Sequence, residues 1–375
     1  MSEVRRKKLA LVFPYAPAYR QAIYELIDDD FSPEWWFAGN AQRPLKQYDY
    51  SRLRKCSLSM RERKVAGPVE RYSRFPAKEL RDFQYLIMPG VIRNITIWKA
   101  LIKAWLRPKA DPAIWLWTHG WYGKENWIER LIKKVYFALP AGVLVYGEYA
   151  RNLMIDNGVK ADKIKIIANS LDYDTQLALR NCITPSPVYR EIFGNRDPVI
   201  IFLGRLTKCK ELDRLINAVA MLDKNGPRCN LMLVGDGEMR QQLEQQINDL
   251  SLNRRVHFAG ASYDEQKNAE YIYNADVCVS PGNVGLTAIH TMMFGTPVLT
   301  HDTFKYQMPE FEAIRPGLTG DFFRFRDTED MARAIAGWLS SHKDDRETIR
   351  RNCYAEIDGK WNPYAQMRTL HEIMG

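Results

Sequence analysis

The most informative segment of the chain is residues 280–298, SPGNVGLTAIHTMMFGTPV. An apolar run ends at Ser280, and a glycine-containing turn then leads into a short helical stretch. A second apolar run begins at Pro297, so the segment has the order strand, turn, helix, strand. Exposed backbone amides at such a helix start favour a bound anion. The segment therefore predicts a parallel α/β sheet with an anion site at the carboxyl end of one strand.

The same order of elements recurs on both sides of this segment. Apolar runs predict strands in the second half at residues 199–203, 230–234, 256–258, 276–280 and 297–300. They predict strands in the first half at residues 9–14, 35–38, 85–88, 114–118, 143–146 and 164–168. We therefore expect an α/β fold with two Rossmann-like, doubly wound domains. Ligands of such sheets bind beyond the carboxyl ends of the strands, which here predicts a site in the cleft between the domains.

The predicted domain boundaries follow from a break in this pattern. Residues 184–197 are flanked by prolines and interrupt the alternation, so we interpret them as a linker. Residues 1–183 then form an N-terminal domain and residues 198–355 a C-terminal domain. Residues 356–375 are predicted to form a C-terminal helix that packs back on the N-terminal domain. A length of 375 residues suits two domains of ordinary size.

Composition excludes several classes of protein. Hydrophobic residues make up 46% of the chain and charged residues 26%, which excludes disordered and fibrous chains. No eighteen apolar residues run uninterrupted, and the charged start, residues 1–8, leads into a strand without an export cleavage region. We therefore expect a cytoplasmic protein. Six cysteines without a CxxC pair or a histidine cluster predict reduced, structural thiols.

The positive net charge of +9 is concentrated in the first half. Residues 51–110 carry 15 Lys and Arg against 4 Asp and Glu, and tryptophans are interleaved with the basic residues in 97–107. Such a face suits an anionic membrane surface, with the protein peripheral on its inner side. The alternative is a solvated basic helix whose tryptophans pack on the core. No recognised nucleic-acid-binding module accompanies the basic residues, so we expect no nucleic acid partner.

Three more loops at strand ends offer groups to an anionic ligand. Residues 202–210, FLGRLTKCK, place Arg205 and Lys210 just before a helix start, which suits a diphosphate; a pair of surface cations is the alternative. Gly235 and Gly237 allow a tight turn after the strand at 230–234. Residues 306–312, followed by 317–320, complete the same wall.

Taken together, these loops resemble the second domain of retaining GT-B glycosyltransferases of the family-4 type, within the glycosyl transferases group 1. That family usually has a Gly-Arg-Leu loop with a lysine five residues after the arginine, a Val-Gly-x-Gly turn, a strand ending in Ser-Pro, and a Gly-x-Pro-Val segment. The match runs from about Val199 to Leu339. The first half matches more loosely, at residues 118–120 (THG) and 166–172 (IIANSLD).

The resemblance implies transfer of a sugar from a nucleotide-diphosphate donor with retention at the anomeric carbon. Arg205 and Lys210 would neutralise the leaving diphosphate without a metal ion, so we expect neither a metal nor a cofactor. Residues 172–174 (DYD) look like a metal-binding DxD but lie far from the phosphate loops in sequence. The residues expected to bind the donor are Gly204, Gly235, Gly237, Gly282, Asn283, Val284, Gly285, Leu286, Thr287, His290 and Glu310.

The resemblance also implies an acceptor site in the first domain. His119 could place its imidazole or carbonyl near the anomeric carbon, and a structural histidine at a strand end is the alternative. Tyr19 and Arg20 follow the first strand and would line the acceptor side. Lys124 and Glu125 are further acceptor candidates, for which an ion pair at a helix start is an equal alternative. We expect a hexosyl- or deoxyhexosyltransferase that acts on a glycan or lipid-linked acceptor in bacterial surface polysaccharide synthesis.

The chain departs from the family pattern in the donor loops. The family usually has two glutamates eight residues apart, and Gly282 and His290 stand at those positions. Glu211 stands where a glycine usually follows the diphosphate lysine. We predict that His290 hydrogen-bonds the ribose, with a core histidine as the alternative. Two other functions stay open: a non-catalytic pseudo-glycosyltransferase that binds a partner or glycan, and a sugar-nucleotide epimerase, which would need catalytic acids beside the sugar.

Overall fold

The computed structural model describes residues 7–41 and 46–375 and divides the chain into two compact units. The first unit runs to Asp172 and includes Pro363–Gly375, and the second unit is Tyr173–Asn362. Residues 1–6, which carry most of the charged start that we interpreted as lacking an export signal, lie outside the described residues. Across the described ranges, no helix is both long and apolar enough to cross a membrane.

The first unit is built on an eight-stranded sheet. Its strands are β1 (Lys7–Phe13), β2 (Glu34–Ala38), β3 (Cys56–Ala66), β4 (Val69–Ser73), β5 (Phe83–Pro89), β6 (Ala113–Trp117), β7 (Gly142–Val145) and β8 (Ile164–Ile166). They lie in the order β4-β3-β2-β1-β5-β6-β7-β8, and only the β3–β4 pair is antiparallel. The strand order reverses at β1, so the carboxyl end of β1 is where a sheet of this kind binds ligands.

Helices cover both faces of this sheet. They are α1 (Gln21–Phe31), α2 (Ile95–Leu106), α3 (Trp127–Ala138) and α4 (Glu148–Asp156). Leu9 and Leu11 of β1 face one core cluster with α1, whereas Ala10 and Val12 face a second cluster with α2, α3 and α4. Successive side chains point to opposite faces of a strand, so a strand covered on both sides becomes a continuous apolar run.

The second unit is built on a six-stranded parallel sheet. Its strands are β9 (Val199–Leu203), β10 (Asn230–Val234), β11 (Val256–Gly260), β12 (Val277–Ser280), β13 (Val298–His301) and β14 (Gly320–Phe323), in the order β11-β10-β9-β12-β13-β14. Its helices are α5 (Tyr173–Cys182), α6 (Val188–Phe193), α7 (Leu212–Asn225), α8 (Arg240–Asp249), α9 (Glu265–Asn274), α10 (Thr287–Met293), α11 (Thr328–Ser341) and α12 (Arg346–Gly359).

The structure corrects the predicted boundaries. Residues 173–183 were assigned to the first domain, but α5 belongs to the second unit, where Arg180 pairs with Asp358 at 3.0 Å. The predicted linker, 184–197, contains α6, whose buried Tyr189 donates its hydroxyl to a backbone carbonyl of α9 at 2.6 Å. Prolines therefore mark a helix start here and not a linker.

The predicted C-terminal helix, 356–375, is two segments. The end of α12 stays with the second unit, and a last helix, α13 (Pro363–Met374), belongs to the first unit. Met367 and Leu370 of α13 are buried in the same core cluster as Ile23 and Ile27 of α1. A Pro at the start of α13 favours a new helix start over continuation of α12.

Every strand predicted from an apolar run is present, but three strands were missed. β3 and β4 form a hairpin at the sheet edge, where most side chains are exposed or only partly buried, so no apolar run marks them. β14 has only four residues and begins with a glycine. Short or half-exposed edge strands carry too little hydrophobic signal to be predicted from one sequence.

Candidate active site

Three loops of the second unit meet at the carboxyl edge of its sheet. They follow β9, β10 and β12, which are adjacent strands. The amide of Gly204 donates to the Val234 carbonyl at 3.0 Å, and the amide of Gly282 donates to the Lys210 carbonyl at 3.1 Å. The Thr287 hydroxyl donates to the carbonyl that ends β9 at 2.9 Å. The structure therefore brings most of the predicted donor-binding residues together.

Backbone approach explains the glycines of these loops. Gly235 has a φ of +147°, and a Cβ there would lie 1.9 Å from the carbonyl oxygen of Gly204. A Cβ at Gly237 would lie 2.5 Å from the carbonyl oxygen of Leu206. These distances are far below van der Waals contact, so only glycine lets the two loops pack against each other.

Gly282 has the same kind of constraint, which bears on the first departure from the family pattern. A Cβ at Gly282 would lie 2.0 Å from the carbonyl oxygen of Cys209 and 2.8 Å from the Cα of Lys210. A glutamate at this position cannot be accommodated by this backbone. The close approach of the loop that carries Lys210 therefore explains why position 282 has a glycine and no carboxylate.

Glu211, the second departure, adopts the left-handed conformation that glycine favours, with φ +50° and ψ +37°. Its carboxylate accepts from the Nε of Arg326 at 2.8 Å and lies 3.2 Å from the Nε of Arg214. Glu211 thus keeps the left-handed backbone conformation that a glycine would adopt there, and two arginines hold its side chain.

The two predicted phosphate-binding cations differ in their environment. The Nζ of Lys210 donates to the carbonyl and the side-chain oxygen of Asn283, at 2.7 and 2.8 Å, and burial lowers the pKa of this lysine. Arg205 is exposed, and its side chain makes no hydrogen bond or ion pair within the described ranges. Lys210 therefore holds two loops together, whereas Arg205 is the cation that is available to a ligand.

His290 of α10 contacts a carboxylate that the sequence analysis missed. Its Nε2 lies 2.8 Å from Oε1 of Glu265, the first residue of α9, and that oxygen also accepts from Gln176 at 2.7 Å. Burial alone would raise the pKa of Glu265, but the imidazole and its hydrogen bond outweigh burial and lower it. Glu265 follows Asp264 at a helix start, where acidic residues are ordinary, so no signal distinguished it.

Some predicted donor residues are placed differently. Val284 is fully buried, and its amide donates to the side chain of Gln307 at 2.8 Å, so neither group is available to a donor. Glu310 is also buried and acts on Lys210, whose pKa it raises against the effect of burial. Gly285 and Leu286 lie half-buried in the turn before α10.

In the first unit, Arg20 and His119 lie in one aromatic cluster. Arg20 ends a short turn after β1, donates to the hydroxyl of Tyr146, and has its guanidinium 5.1 Å from the ring centre of Trp117. The ring of Tyr19 lies 5.7 Å from the same guanidinium. The His119 ring lies 4.7 Å from that of Tyr146. Trp117 ends β6 and Tyr146 follows β7, so the cluster occupies the carboxyl edge of this sheet.

The polar atoms of this cluster are incompletely paired. Burial, and then the charge of Arg20, lower the pKa of His119 to about 4, so the imidazole is neutral near pH 7. The Nε of Arg20, the Nε1 of Trp117 and the Nδ1 of His119 are buried without a hydrogen-bond partner among the described residues. Arg20 also forms no ion pair with the carboxylates that the structure describes. Buried, unpaired polar groups of this kind are uncommon and indicate a functional role.

The other two acceptor candidates, Glu125 and Lys124, differ in their exposure and contacts. Glu125 is buried, and its carboxylate accepts from the amides of Tyr122 and Gly123, both at 2.8 Å, and from Lys133 at 2.5 Å. Burial opposes ionisation, but these donors outweigh it and lower the pKa of Glu125. Glu125 thus holds its own loop, in agreement with the ion-pair alternative. Lys124 is exposed, 5.0 Å from the ring of Tyr122.

The segment 172–174, which looked like a metal-binding DxD, spans the point in the chain where the first unit ends and the second begins. Tyr173 donates its hydroxyl to Asp358 at 2.9 Å. Within residues 7–41 and 46–375, no group of three or more His, Cys, Asp or Glu side chains has the geometry to hold a metal ion.

The part of the chain that carries the loops just described is similar to a known protein family. Residues 189–355 match the family of glycosyl transferases group 1. The matched group 1 region begins in α6 and ends in α12, and it includes all four strand-end loops that the sequence analysis assigned to a donor.

Curated relatives match parts of the chain. The lipopolysaccharide core biosynthesis glycosyltransferase LpsE of Rhizobium meliloti is 33% identical over 141 residues, which cover 37% of this chain and 38% of LpsE. The D-inositol 3-phosphate glycosyltransferase of Nocardia farcinica is 30% identical over 268 residues, or 62% of this chain and 57% of that protein. The chain thus spans about two fifths to three fifths of the length of these two relatives.

Solved structures match both units. The crystal structure of HepE from Anabaena in complex with UDP has a TM-score of 0.69 and 16% identity, and the match covers 98% of this chain and 99% of HepE. An identity this low shows the fold alone. The predicted fold class, two Rossmann-like α/β domains of the GT-B type, is confirmed.

Proposed function

We propose that the protein is a retaining, family-4-type hexosyl- or deoxyhexosyltransferase that uses a nucleotide-diphosphate sugar in bacterial surface polysaccharide synthesis. The observation that carries the proposal is the set of backbone loops that meet around Arg205 and Lys210 within the group 1 region. Two relatives support this proposal. LpsE is a glycosyltransferase of lipopolysaccharide core biosynthesis, which supports the polysaccharide part, and HepE was crystallised with UDP, which supports the nucleotide part.

The exposed guanidinium of Arg205 acts on the leaving group. In the transfer, the bond between the anomeric carbon and a diphosphate oxygen breaks, and an acceptor oxygen bonds to the same carbon on the same face. The acceptor proton leaves with the diphosphate. Negative charge grows on the diphosphate as the first bond breaks, and a guanidinium can hold it through two parallel hydrogen bonds. The positive charge of Lys210 adds to this field, so the proposed reaction requires neither a metal nor a cofactor.

The pair of His290 and Glu265 takes over ribose recognition. The 2.8 Å contact holds the imidazole on α10, while the Glu265 carboxylate adds a hydrogen-bond acceptor on α9. A carboxylate can accept from two ribose hydroxyls, which Gly282 and His290 alone cannot do. Main-chain amides of the 283–287 turn other than that of Val284 complete the donor contacts.

The first unit binds the acceptor through Tyr19, Arg20, His119 and Lys124. Arg20 is a half-buried cation without a carboxylate partner among the described residues, and leaving such a charge uncompensated costs stability. An anionic group on the acceptor, a phosphate or a uronic carboxylate, supplies the missing charge. The neutral imidazole of His119 then contributes hydrogen bonds without repelling Arg20. A glycan or lipid-linked glycan with an acidic group is therefore the proposed acceptor class.

A donor panel tests the proposal. Purified protein is incubated with radiolabelled UDP-, GDP- and dTDP-sugars and with acidic or neutral glycan acceptors, with and without a metal chelator. We expect transfer from one nucleotide class, an unchanged rate with chelator, and a product whose anomeric proton coupling shows the same configuration as the donor.

Other outcomes would redirect the function. A nucleoside diphosphate that raises the melting temperature without any transfer or hydrolysis would favour the pseudo-glycosyltransferase. Conversion of one nucleotide sugar into its epimer would favour the epimerase. An inverted product would refute retention while leaving the transferase class intact.

A further inference from the structure

Helix α3 presents an apolar face to solvent. The large side chains of this face are between 41% and 75% exposed, and they are Trp127, Ile128, Leu131, Ile132 and Val135. At about 100° per residue, the five side chains fall within an arc of about 140° of the helix. Single exposed apolar residues are ordinary, but a continuous stripe on one helix marks an interaction surface.

The helix is firmly held from its other side, so the exposure is not a sign of loose packing. Tyr136 and Phe137 are buried in the core of the first unit. Asn126 and Glu129 form a capping box at the start of the helix, and the Nζ of Lys133 donates to the Gly120 carbonyl at 3.0 Å. The apolar stripe is therefore presented on a rigid support.

Helix α2 also exposes apolar side chains, near its end. Ile102, Trp105 and Leu106 are between 43% and 64% exposed. The two helices are in direct contact, since the rings of Trp98 of α2 and Tyr136 of α3 lie 4.9 Å apart. Trp98 itself packs inward, as the core alternative for 97–107 expected, whereas Trp105 does not.

The charged residues beside the stripe are mainly basic. Arg130 and Lys134 of α3 are exposed. The acidic Glu129 is engaged by the helix cap. A tryptophan-containing apolar stripe bordered by cations matches the interface of an anionic bilayer, where acyl chains accept the stripe and headgroups attract the cations.

We propose that the exposed face of α3 forms a surface that docks on an anionic lipid bilayer. The stripe lies in the interfacial region with Trp127 among the headgroups, while Arg130 and Lys134 contact lipid phosphates. The main contact thus lies on α3, outside the basic region 51–110 that the sequence suggested. The proposal concerns binding to lipid and does not depend on the donor or on transfer.

Vesicle sedimentation of the full chain tests the proposal. The vesicles contain phosphatidylcholine alone or with about one third phosphatidylglycerol. The variant is Leu131→Glu with Ile132→Glu, and the matched control is Leu318→Glu, which replaces a 54% exposed leucine in the second unit. We expect binding to the anionic vesicles, at least tenfold weaker binding by the α3 variant, and unchanged binding by the control. All three proteins should keep the same melting temperature, since the replaced side chains are exposed.

Two further measurements separate insertion from charge attraction. Brominated lipids should quench tryptophan fluorescence in the wild type and much less in Trp127→Phe, because bromine quenches only within contact distance. Raising the salt from low to physiological concentration should weaken binding without abolishing it, since only the charge contribution is screened.

Three results would overturn the proposal. The wild type could fail to bind anionic vesicles, or the α3 variant could bind as well as the wild type. Alternatively, the wild type could be a dimer that becomes a monomer in the α3 variant without any vesicle binding. That last result would assign the stripe to a second copy of the chain.

Discussion

In the candidate donor loops of the second unit, the backbone of one loop packs directly against the backbone of another. The Arg20 cluster of the first unit is instead formed by side chains from separate segments. Gly235 and Gly282 permit carbonyl oxygens to lie where a Cβ would stand. Arg20, Trp117 and Tyr146 instead meet from the ends of β1, β6 and β7. A site formed by close backbone packing requires glycines at set spacing, which appear in the sequence as a motif, and substitution of those glycines affects folding. A site formed by side chains depends on residues that are scattered along the sequence, and substitution of those residues changes specificity.

The largest expected effect is at Gly235. Gly235→Ala places a Cβ 1.9 Å from a carbonyl oxygen at a φ of +147°, so we expect the free energy of unfolding to fall by about 4 kcal/mol. The control is Gly337→Ala in α11, where nothing lies within 4 Å and alanine should stabilise by about 1 kcal/mol. Urea unfolding measures both. Equal stability of wild type and Gly235→Ala would contradict the backbone origin of the donor loops.

The next effect concerns the cations that these loops carry. Replacing Arg205 and Lys210 by Ala removes contacts that strengthen as the diphosphate leaves, which should raise the barrier by about 3 kcal/mol, or about a hundredfold in kcat/KM. Nucleoside binding should change much less. Lys208→Ala removes an exposed charge from the same loop and serves as the control. Full turnover by the double variant would refute the diphosphate role.

The dependence of stability on acid pH compares the two units directly, since each holds a histidine whose pKa is lowered to about 4. Burial is the main cause that lowers the pKa of His119 and of His301 to about 4. The unfolded imidazole ionises near pH 6.5, so below that pH the unfolded state binds more protons than the folded state. Stability should therefore fall as the pH drops from about 6.5 to 4, by up to about 1.4 kcal/mol per pH unit for each histidine.

Single variants separate the two contributions. His119→Gln and His301→Gln should each flatten the dependence of unfolding free energy on pH between 4 and 6.5. An unchanged slope in either variant would show that the histidine concerned does not exclude the proton in the folded state. An anionic acceptor should reduce the slope that depends on His119 only, since His301 lies in the second unit.

The smallest effect is expected at His290. His290→Ala should raise the donor KM about tenfold for a lost hydrogen bond of about 1.4 kcal/mol, with a smaller change in kcat. Glu265→Gln keeps a hydrogen-bonding side chain and should show a weaker effect in the same direction. A lower melting temperature with unchanged donor affinity would instead make His290 a structural histidine.

The difference between the two sites also explains which residues could be predicted. The loops at 204–210 and 280–298 were found because glycines and cations stand at set distances from apolar runs. Val284 was misassigned because a valine in a turn gives no sign that its amide is taken by Gln307. Glu265 was missed because its partner lies on another helix. Tyr146 could have been found, since it follows a predicted strand at the edge where ligands bind.

The sequence by itself determined the buried strands, the two α/β sheets and the position of the donor loops. Each of these depends on local properties: apolar periodicity, or the absence of a Cβ where the chain must turn. Only the tertiary structure decided that Gly282 faces the carbonyl of Cys209, that His290 meets Glu265, and that the apolar stripe of α3 is uncovered. Those features depend on contacts between residues distant in sequence, and one sequence carries no record of which distant residues pack together.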